Sequence, residues 1–288
     1  MHDLNYQLKH LCEKNRDGSF GTQAQRAKVL QLSAGQLFAM GYRHLTVHTL
    51  KPKHVEALAT KWIAEGLSAG TLKNRMSALR WWALKVDRQN VIAKSNAQYG
   101  IPDRKFVAEV SKAKTVTAES LDKVKDAYVR MSLELQQAFG LRCEEAIKFS
   151  PSYADRGDRL ELKASWTKGG KARVISIRTD DQRAVLDRAH HLVGRGALIP
   201  PDRNYVQQMR LYEGQTLRAG LSGMHGLRHF YAQQRYHELT GWLSPAAGGP
   251  ASTSLTAEQK TLDKSARLEI SQELGHIREQ ITTVYLSR

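Results

Sequence analysis

Apolar residues recur every three or four positions through most of the first hundred residues. In "TQAQRAKVLQLSAGQLFAMGY" the stripe is Ala27, Leu30, Ala34, Leu37 and Phe38, and Gly41 supplies a stop. In "KPKHVEALATKWIAEG" it is Val55, Leu58, Ala59, Trp62 and Ile63, behind Pro52. In "SAGTLKNRMSALRWWALKV" it is Leu72, Met76, Leu79, Trp82 and Ala83. The pattern predicts a helical segment over 1–100. It lapses over 101–116, where Pro102 and a basic cluster with Arg104 and Lys105 read as a linker. A helix follows through 140, with Thr117 and Ser120 as caps. Over 158–178 the spacing changes to alternation on both sides of "KGGK", which predicts a β-hairpin with a glycine turn. Helical spacing resumes over 182–193 and 203–219. Residues 240–261, rich in Pro, Gly, Ser and Ala, read as a flexible insertion. The expected fold is mainly α with a small β-hairpin or three-stranded sheet, in two domains.

Charge narrows the partner. With 44 Lys+Arg against 28 Asp+Glu, the 288 residues carry a formal charge of +16 and an isoelectric point near 9.9. Such an excess points to a polyanion, and duplex DNA is the expected one. The helix over 69–85 sets Lys73, Arg75, Arg80 and Lys85 opposite its apolar stripe, so these four, with Arg104, Lys105, Lys171 and Arg173, are the expected DNA-contact residues. Two cysteines, Cys12 and Cys143, make neither a disulfide framework nor a four-ligand zinc site. No apolar run reaches the length of a membrane span and the first residues do not read as a signal peptide, so no membrane is expected. The expected place is cytoplasm, associated with the nucleoid when bound to DNA.

Five stretches concentrate cations, histidine and tyrosine: "FGLRCEEAI" (139–147), "WTKGGKARV" (166–174), "MHGLRHF" (224–230), "ELGHIREQ" (273–280) and "TTVYLSR" (282–288). They supply Arg142, Lys168, His225, Arg228, His276 and Tyr285. In kind, order and spacing these residues resemble the tyrosine recombinase family, the phage-integrase type of DNA-breaking-and-rejoining enzyme. "GLRCEE" is similar to its first arginine box, "TKGGKARV" to its β-hairpin lysine, and "HGLRH" to its His-x-x-Arg box. "LGH" stands nine residues before Tyr285, the family's spacing to the nucleophile. The resemblance implies a C-shaped two-domain clamp. Its parts are a helical, SAM-like core-binding domain over 1–100, a linker over 101–116, and a catalytic domain over 117–288 that carries the insertion.

The chemistry suits the residue types. Cutting a phosphodiester with a protein hydroxyl needs a nucleophile, cations around the transition state and an acid for the leaving 5′ oxygen. Arg142 and Arg228 suit bidentate contact with the non-bridging oxygens. Glu145, three residues after Arg142, would orient it. Lys168 on a hairpin tip suits the acid, with Lys171 as its rival. His225 and His276 can exchange protons near neutral pH. Tyr285 would attack and hold the 3′ phosphate as a covalent ester that conserves bond energy, so rejoining needs no ATP. No metal, nucleotide or other cofactor is expected. The chain contains no G-x-x-x-x-G-K-[ST] loop, and His225 and His229 lack the glutamate of an H-E-x-x-H zinc site.

Each residue also has a plainer role. Arg142 with Glu145 can be a surface pair, Lys168 and Lys171 solvated turn residues, His229 and His276 packing residues, and Tyr285 a docked aromatic. The joint pattern favours recombination of a mobile element by a homo-tetramer on paired sites, with accessory DNA-bending proteins. The alternatives are relaxation of the type IB topoisomerase kind and non-catalytic, sequence-specific DNA binding. Two departures stand out. His225 and His276 lie 51 residues apart, about twice the family's usual gap, and the 240–261 segment accounts for the surplus. Only Leu286, Ser287 and Arg288 follow Tyr285, so tail docking on a neighbouring protomer is expected to be short or absent.

Overall fold

The computed structural model describes residues 2–104, 107, 110–276 and 278–288; of Glu279 only the backbone is described. The chain divides into two compact units, Met1–Lys105 and Phe106–Arg288. No described helix is long and apolar enough to cross a membrane.

The first unit is built of helices α1 (Asp3–Lys14), α2 (Phe20–Ala39), α3 (Pro52–Ala64) and α4 (Ala69–Lys85). Ser19 and Ser68 begin α2 and α4 by accepting from the N–H groups of Thr22 and Thr71. The apolar stripes meet in one core around Leu8, Leu30, Leu37, Leu58, Trp62, Met76 and Trp82. Two short 3-10 turns follow at Gln89–Val91 and Asn96–Tyr99.

The basic face of α4 is tied down within this unit. Lys73 pairs with Asp103 at 2.6 Å and Lys85 with Asp17 at 2.8 Å. Arg75 lies over Trp62, and Arg80 donates to the Ala93 carbonyl and Asn96 Oδ1. Arg104 donates to the Gly70 carbonyl and Asn74 Oδ1. The face expected to await phosphates therefore spends much of its donor capacity on its own unit. Lys105 lies outside the described residues.

The second unit opens with α5 (Ala118–Asp122) and α6 (Ala127–Phe139). The single helix expected through 140 is broken at 123–126 because Asp126 caps Val129 and starts a new helix. Helices α7 (Cys143–Ile147) and α8 (Pro151–Ala154) lead to β1 (Arg159–Leu162) and β2 (Arg173–Ser176), an antiparallel pair with Leu160 opposite Ile175. The expected hairpin is present as two strands. Between them lie a 3-10 turn at Ala164–Trp166 and the TKGG turn. Helices α9 (Asp180–Val193), α10 (Tyr205–Arg218), α11 (Gly226–Thr240), α12 (Ala257–Glu273) and α13 (Thr283–Leu286) complete the unit. A core around Phe139, Phe149, Leu160, Ile175, Tyr236 and Ile270 joins α6, the strands, α11 and α12.

The 240–261 segment differs from its expected flexible character. Residues 257–261 are the first turns of α12. Pro245–Ala247 form a 3-10 turn packed against α13, and Ser244, Ala246 and Leu255 are buried. Small side chains allow the backbone to approach closely here, so the composition that reads as looseness serves packing.

Candidate active site

The site is assembled at helix ends. The "LGH" stretch is the C-terminal stop of α12: Gly275 adopts φ +68°, its N–H donates to the Gln272 carbonyl, and the His276 N–H donates to the Ser271 carbonyl at 2.7 Å. This paired arrangement satisfies two of the helix's last four carbonyls. The other two, of Glu273 and Leu274, are taken by arginines. Arg173 Nε donates to the Glu273 carbonyl at 2.8 Å, and Arg142 Nη2 to the Leu274 carbonyl at 3.2 Å. Arg228 Nη2 donates to the same Leu274 carbonyl. The negative end of α12 thereby gathers three guanidiniums at one point. Gly275 also admits them closely, because a Cβ there would stand 3.1 Å from Arg173 Cδ.

Arg142 lies at the junction of α6 and α7. Gly140 ends α6 with a left-handed turn, and two residues later Arg142 opens α7. Its N–H donates to Glu145 Oε2 and its Nη1 to Glu145 Oε1, both at 2.7 Å. Arg173 meets the same carboxylate with Nη1 and Nη2, each at 2.7 Å. Glu145 is fully buried. Burial opposes its ionisation, yet Arg173 and Arg142 overcome that cost and hold the carboxyl at about 2. Glu145 and Arg142, three residues apart, are thus in direct contact.

Arg228 is 1% exposed. Its Nη1 donates to the Gly140 carbonyl and its Nε to the Tyr285 hydroxyl at 3.2 Å. Desolvation pushes it down to about 10, with the Tyr285 hydroxyl raising it and Arg142 and Arg173 lowering it, so it stays charged at neutral pH. Five N–H groups belong to each guanidinium. Among the described residues three of Arg228's and two of Arg142's are used, which leaves donors for a ligand.

Tyr285 is 4% exposed, on the four-residue α13. Three imidazoles surround its ring, with centroids at 6.0 Å (His225), 4.7 Å (His229) and 6.2 Å (His276). Desolvation lowers all three; Arg228 and Arg142 add to it at His225 and His276, and His225 and Lys112 at His229. His229 and His276 are pushed down to about 4. All three are neutral at pH 7. His229 Nδ1 and His276 Nε2 are buried without a hydrogen-bond partner among the described residues.

The structure thus brings Arg142, Glu145, His225, Arg228, His276 and Tyr285 together. Lys168 stands apart, exposed on the hairpin turn with no bond to the cluster, and Lys171 is exposed beside it. Arg173, expected among the DNA-contact residues, lies inside the unit instead. It is buried, and its three hydrogen bonds among the described residues all go to protein: its fork is closed on Glu145 and its Nε on the Glu273 carbonyl. The signal was available in the strand period. Arg173 and Ile175 share the buried face of β2, and Val174 and Ser176 the open one. Taken together, two guanidiniums share one carboxylate and a third stands beside them on the Leu274 carbonyl, an arrangement with an excess of positive charge beside a buried phenol.

Residues 1–92 match the phage integrase N-terminal family, and residues 103–234 match the integrase family. No curated protein matches the chain in sequence. In structure it is similar to a lambda integrase dimer bound to a COC′ core site, at TM-score 0.63 and 15% identity, covering 99% of this chain and 77% of that one. It is similar to XerH site-specific recombinase bound to a palindromic difH substrate, at TM-score 0.56 and 18% identity, covering 98% and 80%. It is also similar to the Tn1549 transposon integrase in complex with circular intermediate DNA, at TM-score 0.55 and 10% identity, covering 99% and 95%.

Proposed function

The chain belongs to the phage-integrase family of tyrosine recombinases, site-specific enzymes that cleave and rejoin DNA, and from that premise we propose that Tyr285 is the nucleophile of its strand exchange. The hydrogen bond from Arg228 to the Tyr285 hydroxyl, inside a cluster of three guanidiniums and one carboxylate, carries this reading. Arg142 and Arg228 clamp the non-bridging oxygens of the scissile phosphate and stabilise charge as it develops. Tyr285 Oη bonds to phosphorus while the bond to the 5′ oxygen breaks. One of the neutral imidazoles, His225 or His276, receives the single phenolic proton. Lys168, carried in by the hairpin, protonates the leaving oxygen. The 3′ phosphate remains on Tyr285 as an ester until a 5′ hydroxyl attacks it and reverses the sequence of steps.

Duplex DNA is the substrate, consistent with the formal charge of +16. Two sites of two strands each require four tyrosines, so we propose a tetramer on paired sites of a mobile element, aided by DNA-bending proteins. Lys171, exposed beside Lys168, contacts the backbone near the cut. The test is a nicked suicide duplex from the element's ends, incubated with the protein in EDTA and run on a denaturing gel. A covalent adduct on the 3′ phosphate, lost in Tyr285→Phe with DNA affinity retained, is expected. An adduct that survives Tyr285→Phe overturns the assignment.

A further inference from the structure

Helix α13 has four residues, too few to hold its own geometry. Its position is set by hydrogen bonds to residues beyond it. Arg267 donates to the Ser287 carbonyl at 2.9 Å, and Thr283 Oγ1 to the Gln280 carbonyl at 2.7 Å. Among the described residues, one side-chain hydrogen bond reaches the main chain of the nucleophile residue itself. Gln233 Nε2 donates to the Tyr285 carbonyl at 3.0 Å. Gln233 lies on α11, five residues after Arg228, and is 7% exposed. One helix therefore holds Tyr285 twice, through Arg228 at its hydroxyl and through Gln233 at its carbonyl.

The amide of Gln233 is itself held. Its Nε2 lies 3.0 Å from Ser111 Oγ, and the Ser111 hydroxyl donates to Gln233 Oε1 at 3.1 Å. Ser111 lies near the start of the second unit. The segment that follows it runs directly along the start of α11: the Lys114 N–H donates to the Gly226 carbonyl at 3.0 Å, and a Cβ on Gly226 would stand 2.7 Å from the Lys112 carbonyl oxygen. Ser111 Oγ lies within hydrogen-bond distance of both ends of the amide, and the Tyr285 carbonyl, which can only accept, sets which end points toward it. The mechanism above makes no use of either residue.

We propose that Gln233 is a positioning residue for the nucleophile, held in place by Ser111. It fixes the backbone of Tyr285 so that the hydroxyl reaches the phosphate bound by Arg142 and Arg228. The proposal rests on Tyr285 as nucleophile, and the experiment separates the two. The full-length chain is assayed on the nicked suicide duplex at saturating DNA, with adduct formation timed in a single turnover. DNA affinity and melting temperature are measured in parallel. Wild type must form an adduct and Tyr285→Phe must not; failure here removes the nucleophile assignment, whatever Gln233 does.

Gln233→Leu keeps the volume and loses the donor, and its cleavage is expected to slow by about 3- to 10-fold, the effect of one hydrogen bond. DNA affinity stays the same. Ser111→Ala slows cleavage less, and adds nothing when combined with Gln233→Leu. Gln233→Glu supplies the chemical readout. Its ionised carboxylate repels the Tyr285 carbonyl, and its protonated form donates again. The ratio of its rate to the wild-type rate, which cancels the titration of His225, His229 and His276, is expected to rise as pH falls from 8 to 5. Wild-type cleavage by Gln233→Leu overturns the proposal. So does a Gln233→Glu ratio that does not change with pH, because packing alone does not depend on a proton at that position.

Discussion

Replacing Glu145 with glutamine should unsettle the site without changing its shape. The carboxyl sits at about 2 in the folded chain against 4.5 ordinarily. At 1.36 kcal/mol for each tenfold in proton affinity, that difference contributes about 3 kcal/mol to stability at neutral pH. The figure agrees with the roughly 3–5 kcal/mol lost when one partner of a buried ion pair is removed. Because the folded value is depressed, the contribution is complete above pH 4.5 and disappears as pH falls toward 2. Glu145→Gln should therefore be about 3 kcal/mol less stable than wild type at pH 7, and the gap should close in acid. Urea unfolding of the full chain, followed by hydrogen exchange at the α6 and α11 amides, measures it. Cleavage should fall by about a hundredfold as Arg142 loses its anchor, equivalent to roughly 2.7 kcal/mol. Equal stability at pH 7, or a gap that persists unchanged to pH 3, would refute the reasoning.

Two further predictions separate neighbouring residues. Arg173→Ala should slow cleavage and lower stability while leaving the salt dependence of DNA binding unchanged; Lys171→Ala should reduce that salt slope by about one. Binding isotherms at several salt concentrations decide between them. His229 holds off its proton to about 4 in the folded chain and takes it near 6.5 when unfolded, so acid favours unfolding between those values. Its neutral burial should cost about 2 kcal/mol at pH 5, and His229→Leu should lose that share of the difference in urea midpoint between pH 7.5 and pH 5.

The contrast between Arg142 and Arg173 says what a sequence can disclose. Arg142 and Glu145 lie three apart at a helix start, where spacing alone makes them neighbours, and their pairing is legible in "GLRCEE". Arg173 reaches Glu145 across 28 residues, and only the strand period, with Ile175 as guide, hints that it turns inward. The apolar stripes of α2, α3 and α4 are equally plain, because burial writes itself at helical spacing. The partners of their basic faces are not: Asp17 and Asp103 reach Lys85 and Lys73 from distant segments. The carbonyls of Gly140 and Leu274 leave no trace in side-chain chemistry at all. In the 240–261 segment, small residues that serve close packing have the same composition as a linker.

The carbonyl of Leu274, shared by Arg142 and Arg228, has a consequence for inheritance. A main-chain oxygen cannot be substituted, so no single replacement at Leu274 deletes that acceptor. The exposure to mutation moves one residue along, to Gly275, where a side chain would strain a left-handed turn and press on Arg173. A lineage can exchange the apolar side chain of Leu274 for another and keep its arginines together. It cannot vary the glycine as freely, although that residue offers no functional group to DNA.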